Sequence, residues 1–346
     1  MQKQKFNKDY FVFILLPFVY LYRASVFIRN FFYRYHILKT KSLPCTVISV
    51  GNITIGGSGK TPTVEYLSKL FQSKGIKVGI ISRGYKRKSK QTLIVTDGIT
   101  KPQSWEDFGD EPYLLAQNLE NIPIVVGRSR YEAGIKMIEN FNPDIIIMDD
   151  GFQHLSLYRD LDIVLVNSKD TEDTHKIIPV GKLREPITNL SRADLIILTK
   201  SNIHKPTDYL VNKIERMNRP VVYNKIELDN ILLAFKGDND SLDKIKKEKI
   251  YIFSALCDNE GFEKTMRGTG AIIVGGSKYP DHHHYTSDDL KNIDQNAKNN
   301  NANFIITTEK DIVKIHNYKS NIGLYAVRMR LLFEPEALLN KYLEDL

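Results

Sequence analysis

Residues Ser49 to Leu67 read SVGNITIGGSGKTPTVEYL. A short β-branched run, CTVISVGN from Cys45, enters a glycine-rich turn; beyond it, TPTVEYLSKLFQSKG sets Val64, Leu67, Leu70 and Phe71 at helical spacing before a glycine stop. Strand, glycine loop and helix make a phosphate-binding loop, whose pattern G-x-x-x-x-G-K-[ST] asks for glycine where Thr54 stands. Gly56, Gly57, Ser58, Gly59, Lys60 and Thr61 supply the rest. The alternative is a tight strand-to-helix turn with no ligand. Against it, Lys60 and Thr61 open the helix, where an ammonium reaches β/γ-phosphates, a hydroxyl reaches Mg²⁺ and backbone N–H groups meet the positive end of the helix dipole. Pro62 suits a first helical turn, because its missing donor would have no partner there. PDIIIMDDG then ends a buried strand in Asp149 and Asp150, where a second carboxylate must lie to hold the metal.

Outward from the loop, KVGIISRGY, IPIVVG, LDIVLVN and ADLIILTK are short continuous apolar runs, as in strands buried on both faces of a parallel α/β sheet. The mixed-sign stretch KGDNDSLDKIKKEK, 236–249, reads as a solvated linker or surface loop. IYIFSAL, GAIIVGG and NFIITTEKD resume the strand pattern beyond it, and the Asn-rich NAKNNNAN reads as a polar helix end and loop. With 346 residues the chain exceeds one ordinary core, so the expected division is a segment 1–38, a P-loop domain 39–228 and a smaller α/β domain 229–346. A formal charge of +8 points to a polyanionic partner: nucleic acid, nucleotide or an anionic membrane surface. With Cys45 and Cys257 alone and no C-x-x-C or Cys/His cluster, neither a disulfide framework nor a structural zinc site is indicated.

The N-terminus narrows the partner. YFVFILLPFVYLY, Tyr10 to Tyr22, is an uncharged apolar run of 13 residues broken only by Pro17, too short to cross roughly 30 Å of hydrocarbon. Signal peptide, core helix and interfacial helix compete. No small-residue cleavage site follows, and RASVFIRNFFYRYH sets Arg23, Asn30 and Arg34 along one side among Phe27, Phe31 and Tyr35, although Arg29 falls off it. Basic residues beside aromatics favour an interfacial helix on anionic headgroups.

A guanine reader would place Asp where LILTKSN has Asn202, which argues against GTP and leaves an ATP-dependent kinase, motor or regulator. At this point SVGNITIGGSGKTP, ISRGY, GDEPYLLA, DDGFQH, LREP, YPDHHHY and TTEKD fall in the order of the tetraacyldisaccharide 4'-kinases, and the chain resembles that family over nearly its whole length. The family's own loop also departs from the strict pattern where Thr54 sits. The resemblance implies ATP- and Mg²⁺-dependent phosphorylation of the 4'-hydroxyl of an anionic lipid disaccharide in lipid A biosynthesis. It places the enzyme on the cytoplasmic face of the inner membrane, with no nucleic acid and no obligate protein partner.

Carried over by position, the resemblance makes Asp110 the base on the sugar hydroxyl, assisted by His282, with Asp149, Asp150 and Glu185 in the metal region beside Thr61. It turns Arg83, Tyr85 and Arg130 toward the lipid. Asp110 could instead simply start a helix, and adjacent histidines make poor chelators. The family commonly has proline where GKLREP has Lys182, which loosens the geometry expected of Arg184 and Glu185. TTEKD, Thr307 to Asp311, gives no role of its own from the sequence; it could simply end a strand and cap the next helix. The rival from another class is a membrane-bound NTPase switch that transfers phosphate only to water.

Overall fold

The structure is a computed structural model that describes all residues except 1, 234–238, 316, 317, 319 and 345, with side chains described from Val12 onward save that of Asn239. Helix α1 (Gln2–Arg34) runs unbroken through Pro17. The first unit then alternates β1 (Thr46–Asn52), α2 (Lys60–Ser73), β2 (Val78–Ser82), β3 (Leu93–Thr96), α3 (Asp110–Asn118), β4 (Ile124–Val126), α4 (Arg130–Phe141) and β5 (Ile145–Asp149). It continues through β6 (Leu161–Asn167), β7 (Leu195–Thr199), α5 (Asp208–Glu215) and β8 (Val221–Leu233). A second series follows: β9 (Asn239–Asp240), β10 (Lys249–Ser254), α6 (Asn259–Arg267), β11 (Ile272–Lys278), α7 (Ser287–Asn299), β12 (Phe304–Thr308), α8 (Glu309–Ile312), β13 (Gly323–Glu334) and α9 (Glu336–Glu344).

The strands share one sheet in the order β11-β10-β12-β13-β8-β7-β6-β1-β5-β2-β4-β3, with β9 paired to β8. Neighbours from β2 to β8 are parallel, and so are those from β11 to β13; the joint is the antiparallel β8/β13 pair. Each run expected to be a strand is one. The strands that none of the expected runs announces are β3, β8, β9 and β13; burial alternates along β8 and the second half of β13, where the antiparallel pair keeps one face toward solvent. β11 is half-exposed rather than buried, since it forms the sheet edge.

Val64, Leu67 and Phe71 of α2 are buried as their spacing predicts and pack under β1, β2 and β4. That cluster also holds Phe333, Leu339 and Leu343, so the chain's last strand and helix return to the first unit. Within the charged stretch, 236–238 lie outside the described residues, while Asn239–Asp240 adds to the sheet and Ile245 is buried, so the remainder is bound to the fold rather than a free linker.

The window Val12–Arg34 spans 23 residues at mean hydropathy 1.6, long and apolar enough to cross a membrane by length and composition, unlike the 13-residue run seen before Arg23. The difference arises because Arg23, Arg29 and Arg34 are spread thinly through a helix that does not stop at Tyr22. Phe13, Phe18, Leu21 and Phe27 are exposed, and Val26 is buried on the opposite side.

Candidate active site

β1 lies between β5 and β6 at the centre of the first unit, so the loop leaving its carboxyl end opens at the sheet's switch point. Gly59 caps α2 at φ 86° and Gly56 sits at φ 119°, conformations that a side chain would strain. Thr54 has no such duty. It is buried in extended chain bridged to Leu183, with Ile55 N donating to Lys182 O at 2.8 Å and Arg184 N to Ile53 O at 2.9 Å. The place where the usual pattern wants glycine is therefore a strand-like ladder, not a turn. Lys182 N donates to Thr174 O at 2.9 Å, a bond that proline could not make, so this substitution exchanges ring stiffness for a hydrogen bond.

Lys60, the first residue of α2, is 8% exposed and lies 3.5 Å from Asp150 Oδ1. Asp150 adopts φ 55° at the end of β5, which turns its carboxylate away from that of Asp149 and toward Lys60 and Arg184; Arg184 Nη1 donates to both its oxygens at 2.9 Å. Burial raises the Asp150 carboxyl, but Lys60 and Arg184 outweigh it and hold it below the ordinary range. Asp149 is buried; Oδ2 accepts from Ser82 Oγ at 3.1 Å, while Oδ1 has no hydrogen-bond partner. Burial, then Glu111 and Asp150, push its carboxyl up.

Asp110 begins α3, as a helix-start residue would, yet its carboxylate is buried and Oδ2 meets His282 Nδ1 at 2.6 Å. His282, at φ 59°, comes from the loop after β11, so the pair joins the two units across 172 residues of chain. Burial raises the Asp110 carboxyl, but the hydrogen bond from His282 and the positive charges nearby, Lys310 foremost, overcome it and hold the group at about 2. Asp281 links this pair to the phosphate loop: Cys257 Sγ donates to it at 2.8 Å, and Cys257 lies against Gly56 and Gly57.

The sequence matches the LpxK family, tetraacyldisaccharide-1-P 4'-kinase, over residues 11–346. Among curated relatives, the tetraacyldisaccharide 4'-kinase of Aquifex aeolicus (strain VF5) is 37% identical over 327 residues, covering 94% of this chain and 96% of that protein. The chain belongs to the tetraacyldisaccharide 4'-kinase family. A second relative, that of Syntrophus aciditrophicus (strain SB), is 38% identical over 321 residues, covering 89% of this chain and 86% of its own. The crystal structure described as the "apo" form of LpxK from Aquifex aeolicus in complex with ATP superposes with a TM-score of 0.78 at 36% identity, covering 96% of this chain and 98% of that one. Kinase chemistry, a P-loop α/β fold and a second α/β unit are thereby this chain's own class.

Within that family frame, two expected site residues stand differently from their sequence reading. Arg130, expected to face the lipid, is 2% exposed: it donates to Gly127 O at 2.9 Å and to Asp149 O at 3.3 Å, bracing the strand end that carries Asp149. Burial, against the pull of Asp149 and Asp150, lowers its guanidinium to about 10. Glu185 is fully buried with both oxygens engaged, Oε1 by Gln153 and Arg192 at 2.9 and 3.0 Å, and Oε2 by Asn189 and Arg192 at 2.7 and 2.9 Å. No oxygen of Glu185 stands open to a metal in this arrangement. Arg83 and Tyr85 are exposed, and the Tyr85 ring meets His282 edge-on at 5.6 Å between centroids.

Asn202 explains the missing guanine reader. Its side chain is spent on β8, donating to Ile226 O at 2.8 Å and accepting from Ile226 N at 3.0 Å. Sequence reasoning missed Arg192 and Gln153, which lock Glu185, and Lys310 and Lys314, which approach the Asp110 pair. Lys310 lay inside a motif already noticed, whereas Arg192 and Lys314 carry no local signal.

Proposed function

We propose that the protein transfers the γ-phosphoryl group of ATP to the 4'-hydroxyl of a tetraacylated glucosamine disaccharide 1-phosphate, on a membrane surface. The observation that carries this reading is the Asp110–His282 pair, a buried carboxylate on a half-buried imidazole, drawn from both units and tied through Asp281 and Cys257 to the glycine loop. Asp110 takes the proton of the acceptor hydroxyl as its oxygen bonds the γ-phosphorus, and the β,γ-bridging oxygen leaves with ADP. A carboxyl held near 2 is a weak base, so the rate rests mainly on alignment and on charge stabilisation by Lys60.

Mg²⁺ fits the residues present. Asp149 Oδ1 is buried without a partner and its carboxyl is raised by burial and neighbouring carboxylates, so a cation there stabilises the charged form. Thr61 and Asp149, with Asp150 beside them, would hold the ion, and Glu185 joins only by releasing Gln153 or Arg192. Among the described residues no cluster of three metal-ligating side chains exists, as suits an ion completed by phosphates and water. When bound, it neutralises charge on the β- and γ-phosphates.

In this reading unit 39–228 holds the nucleotide, the acceptor lies between it and unit 229–346, and α1, with residues to 38, holds both at the lipid through its exposed Phe13, Phe18, Leu21 and Phe27. Exposed Arg83 and Tyr85 meet the anionic acceptor beside His282. Incubation with γ-labelled ATP, Mg²⁺ and the disaccharide in detergent should put label on the lipid. Release of free phosphate with no labelled lipid sinks the kinase reading in favour of an NTPase switch.

A further inference from the structure

The TTEKD segment and the turn just after it bring two lysines, Lys310 and Lys314, to the acceptor side of the site. Lys310 Nζ lies 3.4 Å from His282 Nε2, 3.2 Å from Asp281 Oδ1 and 4.0 Å from Glu111 Oε1. Lys314 Nζ is 3.9 Å from Asp110 Oδ2 and 3.3 Å from Asp311 Oδ1. Asp311 is itself fixed, its Oδ2 accepting from Thr308 Oγ1 at 2.7 Å and from Ala255 N at 3.1 Å. Both lysines therefore have a fixed carboxylate on one side and the Asp110–His282 pair on the other.

An ammonium has only protons to give, so the imidazole nitrogen it meets must accept. We propose that Lys310 is a positioning residue: by donating to His282 Nε2 it keeps the ring proton on Nδ1, toward Asp110, and so leaves Asp110 rather than His282 to receive the acceptor's proton. The inference rests on the reading of Asp110 as base.

The surroundings agree. Asp281 Oδ2 is 3.6 Å from the same Nε2, beyond hydrogen-bond reach, while its Oδ1 accepts from Lys310. Burial works against the Lys310 charge, but Glu111, Asp281 and Asp110 together keep it protonated above the ordinary lysine range. Asp110 Oδ1 accepts only its neighbour's amide, Glu111 N at 3.0 Å, and retains a lone pair for a hydroxyl. The charged and titratable groups facing the pair are Lys310 and Asp311 from α8, Lys314 from the turn after it, Asp281 and Tyr85 from two loops, and Glu111 from α3 itself.

The test is the pH profile of kcat/KM for the full chain in detergent, with ATP binding measured in parallel. Removing a cation within 4 Å of Nε2 lets the ring take a second proton more easily, so Lys310→Met should move the acid limb up by about one pH unit. Lys310→Arg should restore the wild-type limb, and ATP affinity should change less than about threefold in both. Histidine ¹⁵N spectra of the wild-type protein, assigned with His282→Gln, should show a neutral ring protonated at Nδ1. A Met variant that loses amplitude without moving the limb, a loss confined to ATP affinity, or an imidazolium protonated at both nitrogens overturns the proposal. Should Asp110→Asn keep full activity, the base assignment itself fails, an outcome separate from all of these.

Discussion

The nucleotide half of the site draws Lys60 from the start of α2, which follows β1, and Asp149 and Asp150 from the end of the adjacent β5, whereas the acceptor half needs Asp110 from the first unit and His282, Lys310 and Lys314 from the second. In the first, neighbouring parallel strands deliver the groups, and Val50 pairs with Asp149 in register. In the second, a 2.6 Å contact depends on the β8/β13 joint, which sets one sheet segment against the other. Strand adjacency builds a site that is complete inside one unit. A site shared between units exists only while their relative position holds.

The largest expected effect tests the self-contained half. Lys60→Ala removes the cation that meets the phosphates and should lower kcat/KM by several orders of magnitude, on the order of 4 kcal/mol or more, with the fold intact. Near-normal turnover in that variant would end the phosphate-loop assignment.

The shared half should fail differently. Asp110→Asn and His282→Ala should each lower kcat by roughly 10²–10⁴-fold while ATP binding stays close to wild type. Acting as one unit, they should be non-additive, the double variant little worse than the poorer single one. Multiplicative losses would mean that the two residues work separately.

The smallest effect on chemistry, and the sharpest on stability, separates two arginines that the sequence put together. Arg130→Ala removes a buried guanidinium bonded to the Asp149 carbonyl and should destabilise the protein by about 2–3 kcal/mol, read as a lowered thermal midpoint. Arg83→Ala, at an exposed position, should leave the midpoint unchanged and raise KM for the lipid. A stable Arg130→Ala protein with weakened lipid binding would restore the original expectation for that residue.

Legibility followed the same division. The phosphate loop, the two aspartates and the parallel strands could be read locally, because their chemistry and burial repeat within short segments. The Asp110–His282 pair came only through family resemblance, since no spacing rule connects residues 172 positions apart. β8 and the second half of β13 escaped because half-exposed strands alternate instead of running apolar. Arg130 was misplaced for lack of any mark that tells a buried arginine from a surface one. Thr54 looked like a defect until its pairing with Leu183 showed a ladder where the usual motif has a bend.

Helix α1 is bonded to the interior as well as turned outward. Tyr22 donates to the carbonyl of Arg184 at 2.8 Å and Asn30 to Glu185 Oε2 at 3.3 Å, on the side where Val26 is buried. Arg184 is the residue that grips Asp150, and its own amide is laddered to Ile53 just ahead of the glycines. Any displacement of this helix against the sheet therefore strains bonds that end on Arg184 and Glu185, two residues that also hold the segment beside the glycine loop: the outward-turned helix and the phosphate loop share one anchor.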